Sequence, residues 1–533
     1  MTSIGEALVD QLAKRDVDCV FGIPGVHTIE LYRGLAASGI RHVTPRHEQG
    51  AGFMADGYGR VSGKPGVAFV ITGPGLTNTL TAMAQARADS APMLVVSGMN
   101  DSATIGQGLG CLHELPDQQA LARTVALVSE RVMKSDELLP ALDVAFAPFS
   151  AGRTGPTHID VPLDVAGQEF LAPLVDVNKA TQPAPDGAAL GMAVARIQSA
   201  KRPVIVVGGG ARRCGDAIQK LAVRIGAPVV LTTNARGVMH GHDLCVPASP
   251  SLGAVRELID GADMVLALGT ELGPTDYDLY ATKTMINKSR MVRVDICALQ
   301  LMRHDVGLAV HGDVAVVLEQ IEGRMSAGVA DETGAARARA ARNAAWAELS
   351  PDMRACVDVL NVTRDAVPDA IVVGDSTQLI YAGNLYFDHD RAGGWFNAST
   401  GFGALGFAIP AAIGAQIAAP DARVICIAGD GGAQFSLAEI MVAVDEKLPI
   451  IFVIWNNHGY QEIATSMQAV DITVVGCDPT PPDFRATAAS FGVPFYRTDV
   501  DGFGVALTQA RDENGPVIVE ITAPNLSHQK VSK

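Results

Sequence analysis

The sequence predicts an α/β protein made of three doubly wound domains, each on a mainly parallel sheet. Three observations carry that expectation. The chain has 533 residues, and at roughly 100–200 residues per domain about three domains are expected. Its apolar residues fall in short continuous runs that alternate with amphipathic helix patterns, and such runs suit parallel strands covered by helices on both faces. It holds 55 Gly and 29 Pro but only 5% aromatic residues, a composition suited to many strand-to-helix turns and close backbone approaches.

The first block, residues 1–168, includes Val67-Ala68-Phe69-Val70-Ile71 and Met93-Leu94-Val95-Val96, and closes on Gly155-Pro156-Thr157-His158-Ile159-Asp160-Val161-Pro162. Residues 169–188 read as a linker, with Pro173, Pro183 and Pro185 among small and polar residues. The second block, 189–325, has strand patterns at 204–207, 229–232, 264–268 and 291–295. A Gly- and Ala-rich linker from Ser326 to about Ala345 follows, of which 335–344 has a helical composition. The third block, 352–533, has strand patterns at 370–373, 424–428 and 450–455.

Charge and cysteine usage narrow the function. Lys plus Arg is 41 against 57 Asp plus Glu, a net charge of −16. That balance opposes nucleic-acid binding, which rests on phosphate neutralisation, but one local site can still hold a small anion. The eight cysteines form no CxxC pair, so they read as buried thiols of a reducing compartment and not as a zinc site. The N-terminus lacks a basic-then-apolar signal pattern, and no apolar stretch approaches the roughly 20 residues that span a bilayer. The expectation is a cytoplasmic protein with no membrane partner.

The strongest chemical signal lies in the third block. The strand at 424–428 runs into Gly429-Asp430-Gly431-Gly432, and the strand at 450–455 runs into Asn456-Asn457-His458-Gly459-Tyr460. The 27 residues from Asp430 to Asn457 make one βαβ passage, which brings both strand ends to the same carboxyl edge, where ligands bind. A carboxylate, an amide oxygen and a backbone carbonyl are hard oxygen donors of the kind Mg²⁺ takes together with phosphate oxygens. Gly431 and Gly432 let the backbone approach a phosphate, and the helix start that follows favours an anion.

This GDGG-to-NN pattern resembles the thiamine-diphosphate motif of the acetolactate synthase and pyruvate decarboxylase superfamily. The resemblance implies that Asp430, the Asn457 side chain and the Gly459 carbonyl are the metal ligands. It also implies a pyrimidine-binding first domain, a central Rossmann-like domain and a diphosphate-binding third domain. Arg46-His47-Glu48-Gln49-Gly50-Ala51 resembles the segment that supplies the activating glutamate, Glu48. A carboxyl bonded to the pyrimidine favours the imino form that takes the thiazolium C2 proton. Phe21-Gly22-Ile23-Pro24-Gly25 and Thr72-Gly73-Pro74-Gly75-Leu76-Thr77-Asn78 match family turns, which places Pro24, Gly25, Pro74 and Asn78 at the cofactor. Gly401-Phe402-Gly403-Ala404-Leu405-Gly406-Phe407 matches the segment beside the aminopyrimidine, with Gly403 near the ring and Leu405 as its apolar prop. Gly374-Asp375-Ser376-Thr377-Gln378 lies where the family binds diphosphate, giving Ser376, Thr377 and Gln378. Tyr460 follows the metal motif. The family also implies a homodimer or homotetramer with sites at the subunit interface.

Departures from the synthases point to the substrate. Glu462 stands where a methionine is usual, Ser466 where a tryptophan is expected, and Leu112-His113 where the synthases have Phe-Gln. Gly22-Ile23-Pro24-Gly25-Val26-His27, Leu112-His113-Glu114-Leu115-Pro116-Asp117-Gln118 and Gly459-Tyr460-Gln461-Glu462-Ile463 together resemble the 5-guanidino-2-oxopentanoate decarboxylases. His113 and Glu462 are therefore the candidate substrate-side residues, and His27 reads as structural. A buried, unpartnered Glu462 would be relieved by a cationic tail, with Glu114 and Asp117 as candidates to add to the acidic field. Val207-Gly208-Gly209-Gly210-Ala211 is not a dinucleotide fingerprint, and Leu268-Gly269-Thr270-Glu271-Leu272-Gly273 lacks the Arg-Phe-Asp-Asp run that accompanies FAD in the synthases. FAD is not expected, and the middle domain reads as structural. The leading expectation is non-oxidative, Mg²⁺-dependent decarboxylation of a 2-oxo acid, and the alternative is an acetolactate-synthase-like carboligase. An NAD(P)- or flavin-linked oxidoreductase would need the absent fingerprint, and a catalytically dead subunit would not keep Glu48, Asp430 and Asn457.

Overall fold

The computed structural model describes residues 2–172, 177, 180–283, 287–326 and 330–523. Pro173 of the expected linker, and positions 524–533 of the expected third block, lie outside the described residues. The described strands form three six-stranded sheets, and every strand pair within them is parallel.

The first sheet contains β1 (Cys19–Gly22), β2 (Arg41–Val43), β3 (Gly66–Val70), β4 (Met93–Met99), β5 (Val128–Arg131) and β6 (Pro156–Pro162), in the order β2-β1-β3-β4-β6-β5. The middle sheet contains β7 (Pro203–Val207), β8 (Val229–Leu231), β9 (Cys245–Val246), β10 (Met264–Leu268), β11 (Met291–Asp295) and β12 (Leu308–His311). Its order, β9-β8-β7-β10-β11-β12, is that of a doubly wound dinucleotide-type fold. The third sheet contains β13 (Ile371–Gly374), β14 (Trp395–Asn397), β15 (Val424–Gly429), β16 (Ile451–Asn456), β17 (Phe495–Thr498) and β18 (Val517–Thr522), in the order β14-β13-β15-β16-β18-β17. The first and third sheets thus repeat one strand order.

The inner strands are buried along their lengths, as the continuous Val/Ile/Leu runs require. One core joins the first and third sheets. It forms where the helix Glu48–Ser62, which follows β2, packs on the helix Ala408–Ala418, which follows β14. The two backbones nearly touch. A Cβ on Gly57 would lie 2.0 Å from the Ala411 carbonyl oxygen, and one on Gly414 would lie 1.9 Å from that of Met54. No side chain fits at either place. Asp89 ties the three units together, accepting from Arg60 at 3.0 Å, from Thr400 at 2.8 Å and from Asn234 at 3.4 Å.

One expectation about linkers changes, and the helical reading of 335–344 holds. The chain beyond residue 168 still pairs with the first block, because Ser3 bridges Glu169 and the Phe170 amide donates to the Thr2 carbonyl at 2.9 Å. Most of the second linker is a helix, Gly334–Glu348, which buries Ala338, Ala341 and Ala345 against the helix Gly253–Asp260. Its alanines recur at helical spacing, so the Ala-rich composition was a packing face. The eight cysteines are all free thiols. Among the described residues, no helix is long and apolar enough to cross a membrane.

Candidate active site

The site is built first at the carboxyl edge of the third sheet. β15 and β16 are neighbours in register, with Gly429 opposite Trp455, so Asp430 and Asn457 leave the sheet side by side. The Asn457 amide N–H donates to Asp430 Oδ1 at 3.4 Å. One terminal atom of the Asn457 side-chain amide lies 3.1 Å from Asp430 Oδ1 and 2.9 Å from the Gly459 carbonyl oxygen. With that atom as oxygen, the amide nitrogen donates to Gln378 Oε1 at 3.2 Å, and three hard oxygens crowd one point. Such oxygens repel one another unless a cation lies among them, so the set can hold a divalent metal. With the amide turned, its nitrogen donates to the two oxygens. Asp430 Oδ2 is buried with no partner among the described residues, and burial raises the Asp430 pKa. Gly459 sits at φ +137°, where a Cβ would meet the Cys477 carbonyl oxygen at 2.3 Å, so only glycine can present that carbonyl here.

The surrounding loops hold this set in place. Gln378 Oε1 also accepts from Trp455 Nε1 at 2.9 Å, so Gln378 fixes Asn457 to the sheet. Thr377 is the residue before the helix Gln378–Leu385, and Ser376 is half-buried beside it. The Tyr460 ring packs where a Gly431 side chain would be, 2.5 Å from the added Cβ. Gly432 faces Asp375 and Leu405, whose nearest atoms are 3.4 and 3.7 Å from its added Cβ. Gly403, at φ +79°, is exposed.

Asp375 was missed by the sequence reading. It is fully buried and accepts N–H donors from Ser376 and Gly406, at 2.9 and 2.8 Å, and from Phe407 and Ala408. Burial pushes its pKa up to about 6 against these donors. It binds the end of β13 to the segment carrying Leu405. An aspartate directly after an apolar strand, at the binding edge, was the available signal.

The first sheet supplies a second set of residues. His47 caps the helix Glu48–Ser62, its Nδ1 accepting from the Gln49 amide at 3.1 Å. Glu48 opens that helix half-buried, in the first turn where a carboxylate is favoured. Its Oε2 accepts from Asn78 Nδ2 at 3.0 Å; among the described residues, Oε1 has no hydrogen bond and is left for a ligand. Pro74 begins the helix Pro74–Ala88 that carries Asn78. Pro24 is exposed after β1, and a Cβ on Gly25 would strike Ile71 at 2.4 Å. Among the described residues, no hydrogen bond or ion pair joins the Glu48–Asn78 set to the Asp430–Asn457 set.

The substrate-side candidates sit in loops after β4 and β16. His113 has φ +63° and a ring 5.5 Å from that of His27. Both Nδ1 atoms are buried without a partner among the described residues. Burial, then the neighbouring His113, lowers the His27 pKa. His27 is therefore buried beside His113 in this loop. Glu462 lies in the first turn of the helix Gln461–Ala469 and is exposed, not buried as expected. That turn faces outward because the helix has only Ala464 on its buried side. Glu462 is close enough to Tyr381 to help raise its pKa, behind burial as the main cause. Glu114 and Asp117 are already engaged. Glu114 accepts the amide N–H groups of Gly108, Leu109, Gly110 and Cys111 at 2.9, 3.3, 2.7 and 3.0 Å. Desolvation pushes its carboxyl up, but the four donors together hold it below the usual range. Asp117 caps the helix Gln118–Arg123 by accepting from Ala120 at 2.9 Å.

The middle sheet opens at its carboxyl edge on a cavity of about 720 Å³, whose lining includes Gly208, Gly210, Arg212, Gly269 and Asp295. That volume would admit a nucleotide. The expectation of a structural middle domain therefore rests on the missing sequence fingerprints and not on lack of space.

Two sheets of one topology, each presenting cofactor-type turns at its carboxyl edge, are the architecture of thiamine-dependent enzymes, and comparison with known proteins agrees. The family models described as "Thiamine pyrophosphate enzyme" match here as the N-terminal TPP binding domain at residues 2–121, the central domain at 190–321 and the C-terminal TPP binding domain at 375–521. The chain belongs to the thiamine pyrophosphate enzymes. Within that family it is 39% identical to the "Probable 2-ketoarginine decarboxylase" of Pseudomonas aeruginosa, over 97% of this chain and 93% of the relative. It is 31% identical to the acetolactate synthase large subunit of Parasynechococcus marenigrum, over 97% and 86%. To the acetolactate synthase of Bacillus subtilis it is 28% identical, over 99% and 95%.

Proposed function

We propose that the protein is a non-oxidative 2-oxo acid decarboxylase using thiamine diphosphate with Mg²⁺, and that its preferred substrate carries a guanidinium tail, as 5-guanidino-2-oxopentanoate does. The observation that carries the cofactor reading is the convergence of Asp430 Oδ1, the Asn457 amide and the Gly459 carbonyl within 3.1 Å. The higher identity to the decarboxylase than to either synthase supports the reaction class.

When bound, thiamine diphosphate would supply an acidic C2–H and a sink for the electron pair that departing CO₂ leaves behind. This chain's residues do the rest. Asp430, Asn457 and Gly459 hold the metal, while Ser376, Thr377, Gln378, Gly431 and Gly432 surround the diphosphate. Glu48 exchanges a proton with the pyrimidine, Leu405 props it, and Pro24, Gly25, Pro74, Asn78, Gly403 and Tyr460 line its seat. The net change is 2-oxo carboxylate plus one proton to aldehyde plus CO₂. In this reading His113, beside His27, delivers that proton, and Glu462 meets the tail.

The two halves of the site come from two copies of the chain in this reading. The loops leaving the first and third sheets expose Val26, Leu112, Phe402, Phe435, Ile463 and Val475. Apolar side chains gathered around polar sites favour a partner surface. Product analysis tests the reaction. The guanidino acid should give equimolar CO₂ and aldehyde without an oxidant. Acetolactate from pyruvate alone, with no aldehyde from either acid, would instead establish the carboligase.

A further inference from the structure

We propose that Glu439 is a positioning residue whose carboxylate clasps the backbone just ahead of Glu48 and sets the direction in which Glu48 points. The inference rests on the reading of Glu48 as the activating carboxyl. Glu439 ends a 3₁₀ turn, Leu437–Glu439, after β15, and is 2% exposed. Both its oxygens accept the Arg46 amide N–H, at 3.2 and 3.0 Å, across 393 residues of sequence. The His47 amide donates as well. Arg46 and His47 immediately precede Glu48, so this contact fixes the entry of the chain into the helix Glu48–Ser62. Gly50, one turn in, leaves room for the clasp: its Cβ would lie 2.2 Å from Glu439 Oε1.

The fold makes the same clasp a second time. Gln85, fully buried on the helix after β3, accepts the Ala404 amide at 3.2 Å. Ala404 leads into Leu405 and the helix Ala408–Ala418 after β14. In each sheet, then, a residue after the third strand holds the lead-in to the helix after the second strand of the other sheet. At Gln85 the acceptor is a neutral amide, so the geometry needs no charge. At Glu439 the same task falls to a carboxyl, which can titrate.

Among the described residues no cation forms an ion pair with that carboxyl, although the charge of Arg46 acts on it from a distance. Arg46 extends to Asp445 at 2.6 Å and the Thr44 carbonyl at 3.2 Å, and Glu446 pairs with Arg41. His47 Nδ1 is engaged at Gln49, and Glu48 at Asn78. The helix Ala408–Ala418 brings no charge. On the helix Phe484–Phe491, Arg485 stacks on Phe495. Burial accordingly pushes the Glu439 pKa up to about 7. A pKa raised in the folded state makes a stabilising contribution that is complete below the unfolded value and is lost as pH rises through about 7.

The test uses the full chain as Glu439→Gln, Glu439→Ala and Gly50→Ala. It measures melting temperature against pH without cofactor. With thiamine diphosphate and Mg²⁺, it measures cofactor affinity and C2 hydrogen exchange against pH. Glu439→Ala should slow exchange by about tenfold or more, a magnitude typical of a misplaced reacting group, while affinity changes by less than about threefold. Gly50→Ala should reproduce the slow exchange with the carboxyl still present. Glu439→Gln should keep most of the rate, lose the inflection near pH 7 and gain roughly 2–4 °C over wild type between pH 6 and 8. Wild-type exchange and pH profile in Glu439→Ala or Gly50→Ala would overturn the proposal. If Glu48→Gln itself exchanged at the wild-type rate, the reading of Glu48 would fall, and the clasp's catalytic meaning with it.

Discussion

Strand for strand, the first and third sheets correspond: β1 with β13, β2 with β14, β3 with β15 and β4 with β16. Their loops share positions but not contents. After the first and third strands, the third sheet carries Asp375 and Asp430, both buried, while the first carries the glycine turns Gly22–Gly25 and Gly73–Gly75. After the second strand, the first sheet carries Glu48 and the third carries Gly401–Gly403. After the fourth strand come the substrate-side candidates of both, His113 and Glu462. One topology used twice therefore gives different halves: on the proposed reading, oxygen donors for a metal on one edge, and a single acid–base carboxyl with room around it on the other. The sheet decides where a loop emerges, and the loop decides the chemistry.

The comparison is tested most severely at Glu48. If the first sheet supplies only proton chemistry, Glu48→Gln should bind thiamine diphosphate with near wild-type affinity yet slow C2 hydrogen exchange by about 10²–10⁴-fold, the usual worth of a positioned acid–base group. Exchange followed by NMR after acid quench checks this. Lost affinity with normal exchange of the bound fraction would make Glu48 a binding residue.

The mirror experiment is on the third sheet. Asp430→Ala should weaken Mg²⁺-dependent cofactor binding by about a hundredfold or more, since even changes behind a metal's ligands cost 10–100-fold. Calorimetry reads it, and undiminished affinity would remove the metal assignment. Mixing the two inactive variants sharpens the point. Sites shared between subunits predict partial recovery, because one hybrid site keeps both Glu48 and Asp430. No recovery, once subunit exchange is confirmed, would put both halves in one chain.

The three-layer α/β fold was legible because buried parallel strands must be continuously apolar, as in Val424–Ala428 and Ile451–Trp455. The pairing of Asp430 with Asn457 was legible because βαβ spacing returns the chain to the same edge. Asp375 and Glu439 were not. Each acts by accepting backbone N–H groups, from Gly406–Ala408 and from Arg46–His47, which lie far from it in sequence or carry no side-chain signature. The helix Gly334–Glu348 was legible at 335–344 from its Ala/Arg composition, but its packing role was not, because an alanine face looks the same whether it is buried or exposed. Only the burial expected of Glu462 failed, and for the opposite reason: its residue type suggested a pocket, but burial depends on what covers the helix Gln461–Ala469.

The loops after the fourth strands should show the next smaller effect. Wild type should prefer 5-guanidino-2-oxopentanoate to uncharged 2-oxohexanoate in kcat/KM, and Glu462→Gln should shrink that preference by about ten- to a hundredfold, the worth of a charge-assisted hydrogen bond. Because Glu462 is exposed in the chain, this full effect requires the substrate or a second subunit to exclude water there. A change under about threefold would mean that the carboxylate stays screened.

Glu114 should matter least to that preference, although it is also acidic and lies one residue from His113. Its carboxylate keeps its charge, but the charge is aimed at its own loop, where the amides of Gly108, Leu109, Gly110 and Cys111 surround it. At a separation near one Debye length, about 8–10 Å, the attraction between an exposed carboxylate and a cation falls to a few tenths of a kcal/mol. That is less than a factor of two in selectivity. Glu114→Gln should therefore leave the ratio of kcat/KM for the cationic and neutral acids within about twofold of wild type. What it should change is the loop. A glutamine offers one oxygen where the carboxylate offers two, so some of the four donors lose their partner and residues 108–111 should become more open to proteolysis and amide exchange. A loss of cation preference as large as that of Glu462→Gln, without loosening of the loop, would move the recognition of the tail from the third sheet to the first.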